Sequence, residues 1–400
     1  MSSSALSSIL IMWTDKLKIF IVYTVFFMSG IFNLSLAKSS CSDEIVRNTW
    51  KGFKHYFIAD DGRVIRPAEN DTVSEGQAYA MLRAVWLNDK ETFDKCYQWT
   101  EQNMSRQLKN QDSLLGWHWK DGTITDWMPA SDADIDYATS LIFAHSRWGQ
   151  DQPKGLRPYD ETAKKLLDDI LEKETFRTKS ARLYFSPWLI GKTDGMKTFP
   201  LNPSYFSPAQ FRIFHKFSRD NRWLELVDTT YFMLESLSNE FAGKKGIGLF
   251  PDWCCVDNND LFSPLENKNS GFGHEAIRVL YRLSIDYLWN KEYKAKMLIN
   301  QKIAPFIESE LKRQRAVYCE YTYDGIPVKR YENPGFYACY ASAIMPNSRF
   351  IGQLADKNQS YLKKNDGIWT YQNNTDYYTN CLGWLYDGLK SEIIINLFKE

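Results

Sequence analysis

The chain has 400 residues, 44% hydrophobic and 15% aromatic, enough to bury a full core in one large domain, which excludes an intrinsically disordered protein. Lys and Arg number 49 against 49 Asp and Glu, so no overall field favours nucleic acid, an anionic membrane surface or a strongly charged ligand. The 14 Trp, 23 Tyr and 24 Phe exceed what such a core needs, and outside a core flat aromatic faces suit a neutral partner such as a sugar ring.

At the start of the chain Lys16 and Lys18 precede an apolar run that ends at Ser35-Leu36-Ala37. A charged region, an apolar region and a small-x-small site make the pattern of a secretory signal. The run 19–37 is also nearly long enough to span a bilayer. Residues 1–37 are therefore read as a signal peptide or an N-terminal membrane anchor, and the remainder is expected to be secreted or periplasmic. Residues 38–400 show no low-complexity linker and are read as a single domain, expected to be a monomer.

Apolar residues three and four apart predict helices over 75–86, 92–108, 134–148, 162–175, 208–217 and 223–241. The same pattern returns over 275–289, 293–311, 336–344, 351–362, 377–389 and 392–398. Between them run long loops rich in Gly, Pro and Trp, among them GWHWKDGTITDWMPAS and FPDWCCVDNNDLFSPLENKNSGFG, while strand-like pieces suffice only for small hairpins. Sequential helix pairs predict an all-α fold, a closed ring of helical hairpins around a central cleft, with a solenoid as the alternative that composition leaves open. Cys41, Cys96, Cys254, Cys255, Cys319, Cys339 and Cys381 include no C-x-x-C pair, and no His stands at zinc-ligand spacing. Neither a metal, a cofactor nor a defined disulfide is expected.

Carboxylates gather at three predicted loop-to-helix junctions. In ASDADIDYATS, Asp132 and Asp136 lie one turn apart on one face while Asp134 points elsewhere, and Ser131 or Asp132 is the expected cap. In NDTVSEGQAYAM, Ser74 is the expected cap and Glu75 the first helical residue, flanked by small side chains. In NSGFGHEAIRVLYR, Glu275 opens a helix with Arg278 one turn on, placed to keep it ionised. Each junction alone reads as an ordinary helix start. Together, beneath aromatic loops, they offer the two carboxyl groups that cleavage of a glycosidic bond requires.

At these motifs the chain resembles glycoside hydrolase family 8. The segment ASDADIDYATSLIFAHSRW fits that family's signature from Ala130 to Trp148, departing at Tyr137, where Ile or Met is usual. SEGQAYAM, NPSYFSPAQFRIF, GLFPDW and EAIRVLYRLSIDYLW resemble further family blocks in the expected order. The resemblance implies an (α/α)6 barrel with long aromatic loops forming a substrate groove at one end. It also implies inversion at the anomeric carbon and a β-1,4-linked polysaccharide partner, most often cellulose, with xylan and chitosan in other branches.

Residue by residue, the resemblance implies that Glu75 is the general acid and that Asp132 sits near the scissile sugar. Where the cellulase branch carries its general base, an Asp in a Tyr-Asp-Ala block, this chain has Glu275, one methylene longer. Asp252 and Asp257 remain as other candidate bases. Trp117, Trp119, Trp127, Tyr205, Phe206 and Trp253 are candidate sugar platforms; Asp134 and Arg278 are candidate substrate-binding groups, with Arg282 beside them. The expected protein is an exported endo-β-1,4-glucanase. The competing readings are a non-catalytic or weakly active polysaccharide-binding protein on the same scaffold, a xylan- or chitosan-specific hydrolase, and a metal-dependent cyclase barrel that the missing DDxxD pattern disfavours.

Overall fold

The structure is a computed structural model and describes residues 41–191, 195–344 and 349–399. The proposed signal or anchor lies outside the described residues. Helix α1 covers 41–57, where Ile45, Val46, Trp50, Phe53 and Phe57 form a buried apolar stripe. It is followed by α2 (Ser74–Trp86), α3 (Lys90–Asn103), α4 (Ser131–Trp148), α5 (Tyr159–Lys173), α6 (Pro208–Ser218) and α7 (Arg222–Asn239). Then come α8 (Ile277–Asn290), α9 (Tyr293–Leu298 continuing through Ile299–Ile303 into Ala304–Gln314), α10 (Pro334–Ile344), α11 (Ile351–Ser360) and α12 (Tyr377–Leu382 and Leu385–Lys390).

These helices alternate between two rings. Inner helices α2, α4, α6, α8, α10 and α12 pack each on the next, and α12 returns to α2. Outer helices α3, α5, α7, α9 and α11 each back the inner helix that precedes them. Burial separates the two kinds: every residue of α4 from Ser131 to Ala144 is buried, whereas α5 buries a single stripe of Tyr159, Thr162, Ala163, Leu166, Leu167, Ile170 and Leu171. The chain is an all-α (α/α)6 barrel, as expected, and its buried apolar side chains from Ile45 to Ile394 form one connected cluster.

Inner helices pass to outer ones through short links such as 87–89, 219–221 and 291–292, while the returns are long: 58–73, 104–130, 174–207, 240–276 and 315–333. All six inner helices therefore begin at the same end, beneath the long loops. Small antiparallel sheets stiffen those loops, one joining Thr72–Val73 to His118–Lys120 and Thr123–Asp126, another joining Thr198–Leu201, Cys254–Asp257 and Phe262–Pro264.

Several predicted boundaries move, each for a local reason. Residues 392–398 are not helical: Glu392 takes a left-handed φ of 56°, the N–H groups of Ile393 and Ile394 both bond to Gly388 O at 3.0 Å, and Ile395 O accepts Trp86 Nε1 at 2.9 Å. The tail thereby closes the barrel end opposite the long loops. The predicted 351–362 helix stops at Ser360, because Leu362–Asn365 pairs with Ile368–Tyr371. In α9 the backbone widens into a π turn just before Pro305, which lacks the N–H that an α turn would use.

Across the barrel interior α8 reaches α4 through Arg282, whose Nη1 and Nη2 donate to Asp136 Oδ1 and Oδ2 at 2.7 and 2.8 Å. Gln210 on α6 bonds to both partners at 2.8 Å. Removing one member of such a buried pair leaves the other charged and unpaired. D136A is expected to lower the unfolding free energy by about 3–5 kcal/mol in urea denaturation, with D136A/R282M recovering most of that loss. Equal stability of D136A and wild type would contradict the role of this pair.

Candidate active site

The three carboxylate junctions lie at the N-terminal ends of inner helices, though not capped as their sequences suggest. Ser74 gives its N–H to Trp117 O at 2.9 Å, and its buried hydroxyl has no partner among the described residues. Ser131 donates its hydroxyl to Ser186 O at 2.6 Å, so it ties α4 to the neighbouring loop instead of capping it. Gly76 lets α12 approach α2 closely, since a Cβ there would lie 2.6 Å from the Tyr377 hydroxyl. Glu275 stands just ahead of α8 and not inside it, because Asp252 Oδ1 accepts the N–H groups of Glu275 and Ala276 at 3.2 and 2.8 Å.

All three carboxylates meet at one guanidinium. Arg278 Nη1 lies 2.6 Å from Glu75 Oε1 and 2.6 Å from Asp132 Oδ2, and Nη2 bonds to Glu275 Oε2. Asn202 Nδ2 donates to Glu275 Oε2 at 2.8 Å. Arg278 and Asp132 are each 5% exposed, whereas Glu75 and Glu275 keep 20% and 30%, so the last two are the acids that face the cleft. The cleft beside them is an open depression of about 490 Å³ that His274, Tyr331 and Tyr378 also line.

Burial pushes the Glu75 carboxyl up to about 7; Arg278 opposes this, and the charges of Asp132 and Glu275 add to it. Burial likewise raises Asp132, again against Arg278. Tyr79, one turn along α2 from Glu75, brings its hydroxyl to 3.5 Å from Arg278 Nη1. Near pH 7 the cluster thus holds a cation and an acid, Glu75, that retains much of its proton, beside the more exposed Glu275.

Of the predicted platforms, Tyr205 lies beneath Arg278, its ring centroid 5.3 Å from the guanidinium carbon, and Trp253 stands 5.9 Å from Tyr205. Trp117 accepts the Ser74 N–H through its carbonyl, and its ring lies 5.0 Å from that of His118. Trp119 is packed between Trp99, 5.2 Å away, and the Arg63 guanidinium at 4.4 Å. Trp127 carries the Lys109 ammonium 4.2 Å above its ring. Phe206 belongs to the core against Phe185.

Asp134 is corrected from a substrate-binding group to a buried one. It is fully buried, accepts Leu115 N–H at 3.1 Å and lies against the equally buried Glu174, and burial raises both carboxyls well above their usual range. Asp252 has both oxygens engaged, and Asp257 holds its own hairpin turn through Asn259 and Leu261 N–H groups. Sequence reasoning passed over Tyr79, beside Arg278, which spacing of four from Glu75 signals; Tyr378, which lines the cleft and donates its hydroxyl to His274 O at 2.7 Å; and Trp188, 5.6 Å from Trp253. Among the described residues no group of His, Cys, Asp and Glu is arranged to hold a metal ion.

Two carboxyls of unequal burial held by one arginine, in an aromatic cleft at the open end of a helical barrel, suit one class of chemistry, and the protein is a glycoside hydrolase. Residues 25–322 match the profile of glycosyl hydrolases family 8, and the chain belongs to that family. It is 28% identical over 368 residues to endoglucanase 2 of Ruminiclostridium josui, covering 88% of this chain and 73% of that protein. The fold superposes on endo-β-1,4-glucanase CMCax of Acetobacter xylinum with a TM-score of 0.67, 21% identity and coverage of 87% and 97%. It superposes on a reducing-end-xylose-releasing exo-oligoxylanase with a TM-score of 0.72, 22% identity and coverage of 90% and 94%.

The raised Glu75 pKa has a consequence for stability. Between its ordinary value of 4.5 and about 7 the folded chain keeps a proton that the unfolded chain releases, so this group's favourable contribution is complete at low pH and lost as pH rises through 7. Gln does not titrate. The stability of E75Q relative to wild type should therefore rise by about 3 kcal/mol between pH 4 and pH 8 in parallel urea titrations, and a pH-independent difference would contradict the shift.

Proposed function

We propose that the protein is an exported, inverting endo-glycosidase acting on β-1,4-linked glucan. Glu75 is the general acid, Glu275 the general base, and Asp132 the group that holds the reacting sugar or its water. The observation that carries this reading is the shared guanidinium: Arg278 binds Glu75 and Glu275 on different Nη atoms while the two differ in burial. The more buried acid, raised to about 7, is suited to protonate the leaving oxygen. The more exposed one, paired with Arg278 and Asn202, is suited to activate water from the opposite face of the ring.

Arg278 stands between these carboxyls and bonds to both, and an inverting pair must in addition leave room for a water between acid and base. In the cycle so proposed, Glu75 passes its proton to the glycosidic oxygen as the C–O bond breaks. Water attacks the anomeric carbon and yields its proton to Glu275. Tyr205 and Trp253 offer apolar faces to the sugar rings. The names of the relatives, endoglucanases in the main, support β-glucan as the substrate class.

Purified residues 38–400 should lower the viscosity of carboxymethylcellulose faster than they release reducing ends. E75Q and E275Q should each lose on the order of 10²–10⁴-fold in kcat with unchanged circular dichroism. NMR of the first product should show the α-anomer; an initial β-anomer would contradict inversion, and preference for xylan or chitosan oligomers would reassign the substrate. Binding of oligosaccharide without new reducing ends would instead favour the non-catalytic reading. For export, N-terminal sequencing of protein recovered outside the cytoplasm should begin near Lys38 if the leader is cleaved or at Met1 if it is an anchor; recovery only from cytosol would count against both.

A further inference from the structure

Asp252 takes no chemical part in the reaction as proposed, yet every oxygen of its buried carboxylate is committed. Oδ1 accepts the N–H groups of Glu275 and Ala276, and Oδ2 accepts Asn269 Nδ2 at 2.7 Å. Asn269 Oδ1 in turn accepts Gly271 N–H at 3.0 Å. Main-chain bonds run alongside, Asp252 N–H to Gly271 O at 2.7 Å and Trp253 N–H to Asn269 O at 3.0 Å. Gly273 leaves the space this requires, since a Cβ there would lie 2.7 Å from Asp252 Oδ2.

One carboxylate therefore fixes the stretch 269–276 from both sides, and the backbone it grips last is that of Glu275. That backbone needs holding: Glu275 precedes the first residue of α8, so its own N–H has no helical carbonyl to bond. Glu also has one more rotatable bond than Asp, and a displacement of about 1 Å in a reacting group can cost on the order of 100-fold in rate.

We propose that Asp252, with Asn269, is the positioning residue that sets the main chain of Glu275 and so aims its carboxylate. This rests on the base role proposed for Glu275. Because Trp253 follows in the chain, the same bonds also hold an aromatic platform, and the two effects separate kinetically. A misplaced base lowers kcat, whereas a misplaced platform raises KM.

D252N turns one acceptor into a donor, so an N–H faces either Asn269 Nδ2 or the N–H groups of residues 275 and 276. In the full chain, D252N should lower kcat on cello-oligosaccharides by about 10- to 100-fold with KM changed less than about twofold. The loss should persist on a β-glycosyl fluoride, whose leaving group needs no proton from Glu75. The reciprocal swap D252N/N269D restores one donor facing one acceptor and should recover most of kcat, which excludes simple misfolding. Wild-type kcat in D252N, a change confined to KM, or a loss that vanishes on the fluoride would each overturn the inference. If E275Q is inactive while D252N is not, only this inference fails; if E275Q keeps the full rate, the base role fails and this inference with it.

Discussion

The barrel depends on two buried arginines. Arg278 and Arg282 stand one turn apart on α8 and meet Asp132 and Asp136, one turn apart on α4 across the ring. A charge taken out of water costs several kcal/mol unless it is paired and hydrogen-bonded, so these contacts fix which faces α4 and α8 present to each other. Rotating either helix by one residue would turn its charges into apolar packing. The carboxylates near the cleft are thus the upper members of a ladder whose lower rung is structural.

The two rungs differ in charge balance, and the chemistry follows from that difference. Arg282 meets Asp136 alone, one cation with one anion, with Gln210 filling the remaining bonds. Arg278 meets Glu75, Asp132 and Glu275, one cation with three carboxyls. Such a site is relieved when one carboxyl keeps a proton, and Glu75, pressed by burial and two neighbouring anions, is the one raised to about 7. The crowding of acids that looks unfavourable in the sequence is what keeps a proton on Glu75 near neutral pH.

Periodicity alone made the helices and their pairing legible, because inner and outer helices alike place apolar residues three and four apart. It missed α1, whose stripe of Ile45, Val46, Trp50, Phe53 and Phe57 follows the same rule, and it over-read the apolar tail, which lies extended against Trp86 and Trp289. Sequential pairs suggested a closed ring but left a solenoid open, since no local pattern says that α12 returns to α2, and the resemblance implied closure as a barrel. Helical spacing did separate Asp132 and Asp136 from Asp134, and the structure keeps that separation. The Ser131 cap was misread because its hydroxyl has a better partner in Ser186, fifty-five residues away. Tyr378 and Trp188 were hidden for the same reason: the partners that place them, His274 and Trp253, are distant in sequence and meet them only in three dimensions.

Why a Glu is accommodated at 275 follows from the order of burial. Arg278 and Asp132 form the closed floor, Glu75 lies partly open above them, and Glu275 is the most exposed of the four. A longer side chain at the floor would have to displace packed neighbours, at a cost typical of overfilled cores. At the rim, the extra methylene extends from a backbone that Asp252 holds and a carboxylate that Arg278 and Asn202 receive, so its length is taken up where solvent gives it room. Of the three acids, this is the position where a change of side-chain length disturbs the floor least.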